Sequence, residues 1–200
     1  MSHPLDAAEE GALIGPNAIL QLVPVLEKEG GAAMRDEVCA AAGLMELPDG
    51  TAMIPEEPAA RLHQALRAKF PDLAPALARE AGRRTADYIL AHRIPRPAQT
   101  MLKVLPTRAA AKLLAGSVTK HAWTFVGSGA FRAEKPFVLE IRDNPVVRGE
   151  VSDKPLCDWH AAVFERLYQE LVHPTLQCRE VACCAMGAPA CRFELVRQDD

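Results

Sequence analysis

Apolar positions recur at helical spacing through roughly the first 115 residues, then give way after Lys120 to short runs broken by turns. Gly15-Pro16-Asn17 opens a segment carrying Ile19, Leu20, Leu22, Val23, Val25 and Leu26, which ends at Gly30-Gly31. Met34, Val38, Cys39 and Ala42 mark a second helix that stops at Gly43. Glu57-Pro58 starts a third, with Leu62, Leu66 and Phe70, and Pro71-Asp72 a fourth, with Leu73, Leu77, Ala81, Ala86 and Leu90. Pro95 and Pro97 break the pattern. A fifth helical region, roughly 98–118, carries Met101, Leu102, Val104, Leu105, Leu113, Leu114 and Val118, with Pro106 interrupting it.

Beyond Lys120 the spacing predicts a different architecture. Ala122-Trp123-Thr124-Phe125-Val126 reads as a strand running into the turn Gly127-Ser128-Gly129. Phe137-Val138-Leu139-Glu140-Ile141 reads as a second strand, closed by Asp143-Asn144-Pro145. Residues 153–172 predict an amphipathic helix with Leu156, Val163, Leu167 and Leu171 as its buried stripe and Ser152 or Asp153 as cap. Two more strands, at about 175–184 and 190–197, flank Gly187-Ala188-Pro189. The predicted fold class is α+β: a helical N-terminal region over 1–97, then an antiparallel sheet domain over 98–200 in the order strand-strand-helix-strand-strand. Helices first and a hairpin-rich sheet later argue against a doubly wound nucleotide-binding fold.

Five of the six cysteines fall in the last quarter of the chain. Cys157, Glu180, Cys183 and Cys191 offer three thiolates and a carboxylate, a donor set suited to a closed tetrahedral zinc site. Cys183 and Cys191 stand on either side of a Gly/Pro turn, so a hairpin brings their sulfurs together. Cys157 sits in the first turn of the preceding helix, where the helix dipole favours its thiolate. Glu180 and Cys183 lie three positions apart and would face opposite ways on a regular strand, so the site requires a bulge or a strand end between them. Cys178 and Cys184 compete for the fourth place, and buried structural cysteines on two core strands explain the same spacing.

Bulk properties remove several classes of function. The 200 residues carry a formal net charge of −3, which leaves no electrostatic footprint for nucleic acid. No apolar run approaches the roughly 18 residues of a transmembrane helix. The acidic N-terminus, Met1 to Glu10, lacks the apolar core of a signal peptide, so a cytoplasmic location and reduced thiols are expected.

The run from Glu180 through Cys183-Cys184-Ala185-Met186-Gly187-Ala188-Pro189-Ala190-Cys191 to Phe193 resembles the C-terminal signature of the 4-vinyl reductase domain family. That family includes bacteriochlorophyll-biosynthesis proteins, sensor domains of aromatic-responsive transcription activators and relatives of a vesicle-tethering subunit. The resemblance implies structural zinc on Cys157, Glu180, Cys183 and Cys191, and a family domain over roughly 100–197. Extended over the whole chain, it points to the bacteriochlorophyll-biosynthesis members of purple phototrophs. It implies a magnesium porphyrin or divinyl (proto)chlorophyllide as ligand, bacteriochlorophyll-biosynthesis enzymes as partners, and a homodimer.

Vinyl reduction needs a hydride or electrons from a cofactor. The chain has no glycine fingerprint for a dinucleotide, since Gly127-Ser128-Gly129 lies between predicted strands, and its cysteines fit one mononuclear site better than a cluster. A carrier or accessory role is therefore the expectation, with 8-vinyl (4-vinyl) reduction or a ligand-responsive interaction module as alternatives. The residues chosen for a macrocycle are Trp123 and Phe125 for stacking, His121 for magnesium, and Lys103 and Arg108 for carboxylates at the rim. Each also has an ordinary reading as core or solvated face.

Overall fold

The proline and glycine punctuation of the first half becomes helix boundaries in the computed structural model, which describes residues 12–198. The acidic N-terminus read as no signal peptide lies outside the described residues. The helices are α1 (Asn17–Leu20), α2 (Val23–Ala41), α3 (Glu56–Lys69), α4 (Ala74–His92), α5 (Arg96–Val104), α6 (Thr107–Lys120) and α7 (Asp158–Leu171). Inside α2 the backbone leaves helical geometry at Gly30 and Gly31, the latter at φ +69°, so the expected stop is a kink. Pro106 separates α5 from α6 as the spacing predicts.

The strands are β1 (Leu13–Ile14), β2 (Ile54–Pro55), β3 (Ala130–Lys135), β4 (Val138–Arg142), β5 (Leu176–Ala182) and β6 (Cys191–Arg197). The first two form a small antiparallel pair that sequence patterning missed, each being two residues long. The other four form an antiparallel sheet in the order β3-β4-β6-β5. Mixed helices and antiparallel sheet are thus as predicted.

One strand is misplaced by sequence. Ala122–Thr124 is a 3-10 turn, not a strand. The turn continues from α6, with Phe125 N–H and Val126 N–H both donating to Ala122 O, while Thr124 O accepts from Gly15 N–H at 2.7 Å. The strand lies later, at β3, where Arg132, Glu134 and Lys135 hide its signal. β3 is an edge strand whose charges face solvent.

The sheet buries one face and charges the other. Leu139, Ile141, Phe193 and Leu195 are buried together with Phe164, Tyr168 and Leu171 of α7, Phe164 and Phe193 meeting edge-to-face at 5.2 Å. On the outer face Glu140 accepts from Arg132 at 2.8 Å and Arg192 at 2.6 Å. α7 is in turn covered by α4 through small residues. A Cβ on Gly82 would lie 2.4 Å from Trp159 O, so the two backbones nearly touch there. A second junction joins α3 to the turn before β3. Buried Glu56 accepts from Ser128 N–H at 2.6 Å, Ser128 Oγ at 2.7 Å and Arg148 Nη1 at 2.9 Å. Gly127 sits against this carboxylate at φ +55°, where a side chain would collide with Glu56 Oε2.

Candidate metal centre

Cys157, Glu180, Cys183 and Cys191 converge, each offering a ligand atom within 4.8 Å of the others. The pairwise Sγ distances are 3.3 Å for Cys157–Cys191, 3.8 Å for Cys183–Cys191 and 4.0 Å for Cys157–Cys183. Local structure explains the convergence. The β5–β6 register shifts between Glu180 and Ala182, and β5 ends at Ala182, which supplies both the bulge and the strand end that the three-residue spacing demands. Cys183 follows in extended conformation, and the tight turn Cys184–Met186 then reverses through Gly187 at φ +82° toward Cys191. Cys157 is the N-cap of α7, one position earlier than expected, and neither Ser152 nor Asp153 caps that helix.

The buried thiols do not behave alike. Burial, then hydrogen bonds with Cys183 and Cys191, pushes the Cys157 thiol up, so desolvation outweighs the helix dipole expected to favour its thiolate. Cys183 is the acidic member: hydrogen bonds from Cys157 and Cys191 push it down to about 2. Burial, followed by the charge on Cys183, raises the Glu180 carboxyl to about 8. Glu180 Oε2 accepts the Cys157 N–H at 2.7 Å, while Oε1 is buried without a hydrogen-bond partner. An unsatisfied buried carboxylate oxygen beside three sulfurs is costly unless a cation joins them. The cluster could hold a metal ion.

Asn144 completes the site and was missed as such by sequence, where it figured only in the turn closing β4. It is buried, donates from Nδ2 to Cys157 Sγ at 3.3 Å and Cys191 Sγ at 3.7 Å, and accepts the Val146 N–H on Oδ1 at 3.1 Å. Of the competing cysteines, Cys184 donates its N–H to Cys191 Sγ, and Cys178 stands outside the cluster with its N–H bonded to Glu165.

The 4-vinyl reductase domain model matches residues 137–197, a span that contains all four convergent residues. Over 185 residues the chain is 55% identical to the bacteriochlorophyll synthase 23 kDa chain of Cereibacter sphaeroides, covering 92% of this chain and 90% of that one. The protein of the same description in Rhodobacter capsulatus is 46% identical over 184 residues, 91% and 86% of the two chains. The chain belongs to the bacteriochlorophyll synthase 23 kDa chain family. In three dimensions it resembles an H-NOX protein from K. algicida, with a TM-score of 0.57 at 9% identity over 94% of this chain and 98% of that one. A second structure, described as probing heme distortion in the H-NOX family, aligns with a TM-score of 0.55 at 11% identity over 93% and 96%. At such identity the likeness is one of fold.

The other predicted site residues of this family member are dispersed. Trp123 is 60% exposed in the turn after α6. Phe125 packs edge-to-face on Phe131 and Phe164, inside the aromatic cluster under the sheet. His121 is exposed, with Nδ1 2.8 Å from Ser117 O. Lys103 pairs with Glu170 of α7 at 2.5 Å, and Arg108 is exposed on α6. A cleft of about 580 Å³ opens elsewhere, between α3, α4, the start of α7 and β5, with Glu180 in its wall.

Proposed function

We propose that the protein binds a magnesium tetrapyrrole and serves bacteriochlorophyll biosynthesis as a carrier or accessory factor, handling a magnesium porphyrin or a divinyl (proto)chlorophyllide. The observation that carries this reading is the 55% identity, over nearly the whole chain, to a relative named as a bacteriochlorophyll synthase chain. The fold adds support, because an H-NOX structure that shares it is described in terms of its heme. The cleft also has a volume in the range of pockets that take cofactor-sized ligands.

The four-residue cluster is assigned to structural zinc. Four ligands at about 2.3 Å in a tetrahedron are separated by roughly 3.8 Å, and the three sulfur–sulfur distances of 3.3, 3.8 and 4.0 Å bracket that edge. Zinc held there would pin the N-terminus of α7 to the β5–β6 hairpin. In this reading 98–200 is the ligand-binding domain and 1–97 its helical support. The protein works in the cytoplasm as a homodimer that passes its ligand to biosynthetic enzymes.

The test is a spectral titration with magnesium protoporphyrin and with divinyl protochlorophyllide, each with and without NADPH. A shifted Soret band without chemical change supports the carrier. Monovinyl product would make the protein the 8-vinyl reductase, and absence of binding would leave the interaction module.

A further inference from the structure

The cleft between α3, α4, α7 and β5 differs in chemistry from the face where the macrocycle residues were sought. Its walls are apolar at Leu66, Ala74, Ala78, Leu156 and Ala161. Four cationic side chains also line it, and they divide into two pairs. Arg67 is neutralised by Glu150 at 2.5 Å and Arg79 by Glu165 at 2.7 Å. Lys154 and Arg179 are exposed and have no ion-pair partner among the described residues.

Deeper in the wall lies His63, which is 1% exposed. Its Nε2 lies 3.0 Å from Ala18 O, a carbonyl that can only accept, so Nε2 carries the proton and Nδ1 keeps its lone pair. Nδ1 is buried and has no hydrogen-bond partner. The ring of Trp159 lies beside it, at 5.4 Å between ring centroids and tilted by 55°. A dry, unused nitrogen lone pair costs free energy in the ligand-free protein, and an incoming Lewis acid or donor would recover it.

We infer that this cleft is the tetrapyrrole site: its apolar walls sandwich the macrocycle, Lys154 and Arg179 meet the ligand's carboxylates at the mouth, and the His63 Nδ1 lone pair coordinates the central magnesium once the His63–Trp159 contact opens. This rests on the proposed tetrapyrrole function and supplies its site. The charge pattern fits such an amphiphile. A flat apolar body enters between α3 and α4, while its ionised side chains remain beside two unpaired cations. Glu180 borders both this cleft and the metal cluster, so a bound ligand would lie against the wall that the cluster holds in place.

The assignment is tested on the full-length, metal-replete protein by titrating magnesium protoporphyrin, its dimethyl ester and metal-free protoporphyrin. Readouts are the Soret band and tryptophan fluorescence. The paired substitution Lys154→Glu with Arg179→Glu, both on the surface, should weaken the dicarboxylate at least about tenfold and leave the dimethyl ester nearly unchanged, since charge-assisted hydrogen bonds carry the difference. His63→Leu should abolish the Soret shift specific to the magnesium form while metal-free protoporphyrin still binds. Unchanged affinity for magnesium protoporphyrin in both variants, with loss on Trp123→Ala instead, would overturn the cleft while leaving the tetrapyrrole reading intact. If the wild-type protein binds none of the three porphyrins, the function itself fails, and the site with it.

Discussion

The carboxamide of Asn144 donates to Cys157 Sγ across 3.3 Å while its own oxygen is fixed by the Val146 N–H. Asn144 is buried, so its orientation is set by that backbone donor, and the two Nδ2 hydrogens are aimed at the sulfurs of Cys157 and Cys191. N–H···S bonds stabilise thiolates and lower their charge density, the usual way an outer shell tunes a metal site. Asn144→Ala should weaken metal binding about 10- to 100-fold with the four ligands still present. Competition with a chromophoric chelator measures this. An unchanged exchange constant would show that Asn144 serves the turn alone.

Cys183→Ser removes the most acidic thiol of the cluster and breaks the link between α7 and the β5–β6 hairpin. The variant should purify without stoichiometric metal. It should also melt at least about 10 °C lower, given roughly 2–4 °C per kcal/mol for a chain of this size and a metal contribution on the order of several kcal/mol. A metal-free wild-type protein with an unchanged melting temperature would sink the structural role.

Much of this site was legible in the sequence because ligand spacing is a local property of a hairpin. The odd three-residue offset from Glu180 to Cys183 even announced the irregularity now seen at Ala182. The helical half was legible for the same reason, since Pro75, Pro106 and Gly31 act on their own backbone. What failed was set at long range. Whether Ala122–Val126 is strand or turn depends on Gly15 reaching Thr124 O, more than a hundred residues away in the chain. Asn144 could not be read as a partner of sulfur until β4 and β6 were paired. The aromatic reading of Phe125 missed that its ring fills the space between Phe131 and Phe164.

Stability should fall steeply in mild acid. Burial lowers His63 to about 3 and His160 to about 4, against an ordinary value of 6.5; Arg67 pushes both further down, whereas the bonds to Ala18 O and Phe125 O oppose the shift. Both folded values are depressed, so the unfolded chain takes up protons that the folded chain refuses. The stabilisation is complete above pH 6.5 and is lost as pH falls toward 4 and 3, at about 1.4 kcal/mol per unit for each ring. Glu180 acts in the opposite sense when no metal is bound, because its raised value costs stability as pH climbs from 4.5 to 8. The histidine part is isolated by comparing wild type with His63→Gln in urea melts at about pH 7.5, 6 and 5, a range chosen to span the ordinary histidine value. The gap between them should narrow as pH drops, and a constant gap would contradict it.

Two glycines in helices should respond to alanine with opposite signs. Gly116 lies in α6, exposed, and a Cβ there meets nothing within 4 Å. Gly116→Ala should therefore stabilise by roughly 0.5–1 kcal/mol, the conformational cost of glycine in a helix. Gly82 lies in α4, where the same Cβ would fall 2.4 Å from Trp159 O and 2.8 Å from Ala162 Cβ. The first of these contacts is backbone and cannot rotate aside, so α4 and α7 must separate. That overpacking costs about 1–3 kcal/mol, enough to lower the melting temperature by several degrees. Because α4 and α7 both wall the cleft, Gly82→Ala should also alter porphyrin affinity, whereas Gly116→Ala should not. Equal melting temperatures for the two variants would mean that the close approach of α4 to α7 is not what fixes this wall.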